Sequence, residues 1–152
     1  MIKNLHFILF SLLITANISA QQNLKRENIK LLKTAFITEA IDLTSSEAEK
    51  FWPVYNLYSD KIQSLKFSLE NGMRRKINSS GGFDNISEEQ AQKFIQEYTK
   101  IEQEISANKT NMIVELSKIL PPKKILKFQK AEKDFNRRML QEYGKRRRLK
   151  GH

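Results

Sequence analysis

Cysteine is absent from this chain of 152 residues, histidine occurs only as His6 and His152, and glycine and proline number five and three. Each scarcity excludes a class of chemistry. Without cysteine no disulfide can staple the fold, and no thiolate metal site can form. With both histidines at the ends of the chain, a Ser-His or Cys-His nucleophile has no base in the body of the protein. A transition metal would have to rely on carboxylates and Met73, Met112 or Met139, a poor set for zinc or copper. No glycine-rich phosphate loop is present. Carboxylates such as Glu102 and Glu104 stand two residues apart and point to different faces of a helix. The expectation is a protein that is not an enzyme and carries no cofactor and no metal.

Long apolar runs are also scarce, and the one that exists lies at the start. "MIKNLHFILFSLLITANISAQQ" has a positive Lys3, an apolar stretch from Phe7 to Ile14 broken by Ser11, and small residues ending at Ala20. This pattern reads as a secretory signal peptide cut near Ala20. The run is too short to span about 30 Å of hydrocarbon comfortably. No cysteine follows that could carry a lipid. The expected organisation is residues 1–20 as signal peptide, 21–144 as one helical domain and 145–152 as a basic tail, with the mature protein in the periplasm.

The chain carries 27 basic and 17 acidic residues, a formal charge of +10. Removing Lys3 leaves +9 for residues 21–152. Export makes nucleic acid an improbable partner for this charge. Anionic lipid head groups, acidic polymers and acidic protein segments remain. The densest cluster is the tail "GKRRRLKGH", which reads as a solvated terminus or as a weak contact with an anionic membrane surface.

Abundant Lys, Glu, Leu, Ile and Gln favour helices over sheet. Four helices are predicted. The first spans 23–41, with Leu24, Leu31, Leu32, Ala35, Phe36 and Ala40 on one side. The second opens at Thr44, with Glu47 completing a capping box. It runs to about Ile77, with Ala48, Phe51, Tyr55, Tyr58, Ile62, Leu65 and Leu69 as a heptad seam. "NSSGGFDN" ends it. The third opens at Ser87, with Gln90 completing a second box. Its seam is Ala91, Phe94, Tyr98, Ile101, Ile105, Met112, Leu116 and Ile119, interrupted by the polar Asn108, a residue type that sets register. Pro121 and Pro122 close it and suit the first turn of a fourth helix. That helix carries Ile125, Phe128, Ala131, Phe135 and Met139 and frays near Gly144. Helices two and three are each long enough for a long antiparallel hairpin, with two further helices packed against it in an all-α fold.

Two details stand out of this pattern. "LTSSEAEKF" (43–51) and "ISEEQAQKF" (86–94) match in nearly every physical role, and "LPPKKILKF" (120–128) repeats their outer frame. Pro53, nine residues beyond the cap, sits inside the second helix beside Trp52, the only tryptophan. An interior proline removes a backbone hydrogen bond and clashes with the carbonyl four residues before it, at a cost of about 3 kcal/mol. Pro53 is therefore expected to bend this helix or to end a short first part of it. Phe51, Tyr55 and Tyr58 lie on the seam, and Trp52 lies beside it, in the core or on a binding face. Trp52, Pro53, Tyr55 and Tyr58 are the candidate partner-binding residues.

"LTSSEAEKFWPVY" followed by "LPPKKILKFQKAEKDF" resembles the Spy/CpxP-like periplasmic proteins. It looks most like the flavobacterial branch labelled "sensor of ECF-type sigma factor". That family's helix start is a twice-occurring Leu-Thr-x-x-Gln. Here the first copy has Glu47 at the glutamine position, and the copy at Leu120 lacks both threonine and glutamine. The resemblance implies a four-helix hairpin-like fold, a homodimer with a cradle-shaped face, and a role in envelope stress. The role is either modulation of a membrane signalling partner or ATP-independent chaperoning of unfolded clients. Some relatives bind metals through histidines, ligands that this chain lacks.

Overall fold

The computed structural model of the protein describes residues 27–150. The signal peptide expected over 1–20 lies outside the described residues. The class is all-α: among the described residues there are four α-helices, one 3-10 turn and no strand. Helix α1 covers residues 27–40, α2 Ser45–Ser79, α3 Glu88–Leu116 and α4 Pro122–Lys150. The chain divides into two compact units, one of residues 43–126 and one made of 27–42 together with 127–150.

In the first unit, α2 starts where its sequence dictates. Thr44 is the N-cap: the Glu47 N–H donates to Thr44 Oγ1 at 3.3 Å, and the Thr44 N–H donates to Glu47 Oε2 at 2.9 Å. Two of the four orphan donors of a helix start are satisfied in this way. The helix then continues for 35 residues, about 52 Å at 1.5 Å per residue. It runs without interruption through Pro53, so the expectation that Pro53 ends a short first part is corrected. Pro53 lies on the exposed side of α2, with Phe51 and Tyr55 buried. There the carbonyl that it frees can turn to water. Gly81 and Gly82 close the helix at φ values of 79° and 108°, which glycine alone adopts without strain. Their N–H groups donate to the carbonyls of Asn78 and Ile77 at 3.1 and 3.0 Å.

After the 3-10 turn Phe83–Asn85, Ser87 caps α3 with a second box. The Gln90 N–H donates to Ser87 Oγ at 3.3 Å, and the Ser87 N–H donates to Gln90 Oε1 at 3.1 Å. Helices α2 and α3 pack together antiparallel. Lys76, near the end of α2, pairs with Glu97 near the start of α3 and lies 5.0 Å from the centroid of the Phe94 ring. The buried residues of the unit are Phe51, Tyr55 and Ile62 on α2, Ile105, Met112 and Leu116 on α3, and Leu120 and Ile125 beyond it. Asn108 turns its amide to the Glu104 carbonyl of its own helix at 2.8 Å, a local bond that carries no register information. Helix α3 ends at Leu116, ahead of the predicted stop at the prolines. Ser117 takes over as C-cap, and Ile119 and Leu120 both donate to the Leu116 carbonyl. The last turn tightens because residue 120, preceding Pro121, is pushed out of the helical region. Pro121 then accepts from the N–H groups of Lys124 and Ile125, and Pro122 is the first residue of α4.

In the second unit, α1 and α4 run antiparallel. Asp42 pairs with Lys127 at 3.0 Å, the Phe36 and Phe135 rings lie 5.7 Å apart, and Lys33 pairs with Glu132 at 2.9 Å. Ile37, Ile41, Phe128, Ala131 and Phe135 are buried. The predicted face of α1 is corrected: Leu31 and Leu32 are 65% and 58% exposed, and Ala35 and Ala40 are exposed. The buried face carries Ile37 and Ile41, one turn apart, beside a half-buried Phe36. Asp42 ends the helix in the left-handed region at φ 51°, a conformation its short polar side chain tolerates. The predicted fraying near Gly144 is corrected as well, because α4 continues to Lys150. A single glycine costs a helix only about 1 kcal/mol, and the residues around it are good helix formers.

Candidate functional site

The four residues predicted to meet a partner do not form one exposed patch. Tyr55 is only 4% exposed and is corrected from binding surface to interior. Its ring stacks on Phe51 at 5.8 Å and 8°. Trp52 and Tyr58 are half-buried and Pro53 is exposed. Trp52 stands edge-on to both neighbours, 5.0 Å from Phe51 and 5.4 Å from Tyr55. An edge-to-face triad of this kind satisfies the ring quadrupoles and fixes the indole orientation. Trp52 therefore packs within its own helix and keeps only part of its ring in solvent.

The same end of the unit holds its most constrained charge pair. Lys124 Nζ lies 2.6 Å from Glu47 Oε2, with both side chains largely covered at 21% and 23% exposure. The Lys124 hydrogen bond, with the Thr44 backbone N–H as the next cause, holds the Glu47 carboxyl below its ordinary value. The capping carboxylate thus serves twice, closing α2 locally and joining it to the start of α4.

The other end of the hairpin is different. Beyond Ile62 on α2 and before Ile105 on α3, no residue is buried. An open groove of about 490 Å³ lies there, lined by Met73 and Ile77 of α2, Phe83 and Ile86 of the connection, and Glu88, Ala91, Phe94, Ile95 and Tyr98 of α3. Phe83, Ile95 and Tyr98 are 74%, 59% and 43% exposed. The lining is apolar and aromatic apart from Glu88, which suits the apolar side chains of another chain. Among the described residues no group of three or more His, Cys, Asp or Glu side chains could hold a metal ion, and no helix is long and apolar enough to cross a membrane.

Compared with known proteins, the chain matches no family model, no curated protein and no solved structure.

The heptad spacing puts Ala91, Phe94 and Tyr98 in a core seam, and Phe83 and Ile86 lie outside it. A signal was available. The α2 seam ends at Leu69 and the α3 seam opens at Ala91, while Met73, Ile77, Phe83 and Ile86 stand between them, too few apolar residues to cover the two helix ends.

Proposed function

We propose that this is an exported helical protein of envelope-stress sensing. It acts by protein–protein binding and modulates a membrane signalling system linked to an ECF-type sigma factor. The binding part of this reading rests on the uncovered apolar groove at the loop end of the α2–α3 hairpin. Contiguous apolar surface on a soluble domain is costly in water and is relieved when a partner chain covers it. The signalling part rests on the likeness of "LTSSEAEKFWPVY" and "LPPKKILKFQKAEKDF" to the Spy/CpxP-like sensors. A sigma factor in the cytoplasm is out of reach of an exported protein, so a membrane protein must carry the signal inward.

A second reading, an ATP-independent chaperone for unfolded periplasmic proteins, is favoured by the make-up of the groove. It is open and apolar and holds a single charged lining residue, a surface that would accept many sequences.

Replacing Phe83 and Ile95 by serine tests both. Neither residue is buried, so circular dichroism should show an unchanged helix content. In cells, the sensor reading expects loss of the sigma-factor-dependent transcriptional response, and the purified variant should no longer cross-link to its membrane partner. The chaperone reading expects the wild-type protein to suppress aggregation of unrelated denatured proteins and the variant to lose this. A variant that keeps both activities removes the groove from the function.

A further inference from the structure

Most of the protein's charge is gathered on one helix. From Lys127 to Lys150, α4 carries ten basic and three acidic residues, a net +7 out of the chain's +10. The distribution around the helix is uneven. At about 100° per residue, Lys130, Lys133, Arg137, Leu140 and Arg148 fall within an arc of about 80°. Phe128, Ala131 and Phe135, which are buried, lie on the opposite side. The stripe runs from Lys130 to Arg148, 18 steps of 1.5 Å or about 27 Å of helix.

All five stripe residues are exposed. The Lys130 and Arg137 side chains are 78% and 73% exposed, and both turn to the one carboxylate of Asp134, Arg137 at 3.0 Å. Four cations against one carboxylate leave the stripe with a surplus of three positive charges. Leu140, 73% exposed, sits among them, and Tyr143 at its flank is half in solvent. An exposed leucine inside a cationic stripe is unfavourable in water. It becomes favourable against a ligand that offers negative charge and hydrocarbon together. Long Lys and Arg stems can lie along such a surface with their charged heads in its anionic layer while the leucine enters below.

We propose that this face of α4 docks on the surface of an anionic lipid bilayer, with Lys130, Lys133, Arg137 and Arg148 on the head groups and Leu140 inserted between them. The site is an ordered helix face rather than a loose basic tail, and it is independent of the apolar groove in the other unit.

Sedimentation of the full chain with vesicles tests this. Binding is expected to phosphatidylglycerol–phosphatidylcholine vesicles and not to phosphatidylcholine alone, and it should weaken steeply with salt. The triple variant Lys130→Gln, Lys133→Gln, Arg137→Gln leaves the cluster 145–150 intact and should lower affinity at least about tenfold, as expected for the loss of three surface cations. Leu140→Gln should weaken vesicle binding and leave binding to heparin, a polyanion without hydrocarbon, unchanged. The same charge loss elsewhere, in Lys66→Gln, Arg74→Gln, Arg75→Gln, should have little effect. Circular dichroism of each variant checks that the helices persist. The proposal is overturned if wild type does not bind the anionic vesicles. It is also overturned if the triple variant binds normally while truncation after Gly144 abolishes binding, because the tail alone is then the site. If Leu140→Gln has no effect and heparin competes as strongly as lipid, the face recognises polyanions or acidic protein segments, and the bilayer is the wrong partner.

Discussion

The two helix starts at 43–51 and 86–94 are near copies in sequence, and they end up in different surroundings. Both form the reciprocal capping box, with matching bonds of 2.9 to 3.3 Å. Seven residues past each cap stands a phenylalanine preceded by lysine. Phe51 is fully buried, in contact with Trp52 and Tyr55. Phe94 is half-buried, and its ring faces the groove and the Lys76 ammonium. The box residues differ in the same sense: Glu47 takes a second partner in Lys124, while Gln90 is neutral. Local sequence sets the start of a helix equally well in both places. It does not set what covers the first turns, and burial supplies most of the energy.

The largest expected effect tests that contrast directly. Phe51→Ala should destabilise the protein by about 3–5 kcal/mol, the usual cost of deleting a buried aromatic ring. Phe94→Ala should cost less, about 1–2 kcal/mol, because its ring is only partly covered. Urea unfolding of both variants measures the difference, and equal losses would show that the groove end is covered as well as the other.

Pro53→Ala should raise stability by about 1–3 kcal/mol in the same assay. It restores a backbone hydrogen bond and removes the ring clash at an exposed helical position. A loss of stability would mean that the ring itself packs. Partner binding by this variant then sharpens the role of Trp52 and Tyr58: if binding is unchanged, the proline-marked segment serves packing alone.

A smaller effect separates the two capping boxes. The Glu47 carboxyl titrates below its ordinary value in the folded state, so its contribution is complete above that ordinary value, near 4.5. The contribution is lost as pH falls through the lower folded value. Glu47→Gln keeps a capping side chain of the kind seen at Gln90 but loses the ion pair to Lys124. Thermal unfolding between pH 2 and 7 should show part of the acid destabilisation removed in this variant. Gln90→Glu should introduce a smaller pH dependence, since it adds a capping carboxylate without the Lys124 partner that Glu47 has.

Much of the fold was legible because its signals are local. Thr44 with Glu47, Ser87 with Gln90, the Gly81–Gly82 pair and Pro122 each fix a helix end through bonds to residues within about one turn, so reading a few letters suffices. The α2 seam at Phe51, Tyr55 and Ile62 and the far half of α3 were legible for the same reason of spacing. The burial of α1 was not. Its apolar residues lie on two faces, Leu31 and Leu32 on one and Ile37 and Ile41 on another, and periodicity cannot say which face meets a neighbour. Gly144 and Pro53 misled in a similar way: a breaker lowers the stability of a helix by a fixed local amount, and the rest of a long helix can exceed it.

The candidate site was the least legible part. Tyr55 lies on the seam and Trp52 beside it, yet only the structure shows that Tyr55 is buried and that Trp52 leans on it edge-on. Phe83, Ile86 and Ile95 carry no motif, and they become a surface only where the two helices converge on a short connection. The sequence by itself determined the all-α class, the four helices and most of their ends, because caps, glycines and prolines act within one turn of backbone. Only the tertiary structure decided which apolar side chains are covered, since burial is a sum over neighbours far apart in the chain, and that sum closes around Phe51 and Phe128 but stays open around Phe94.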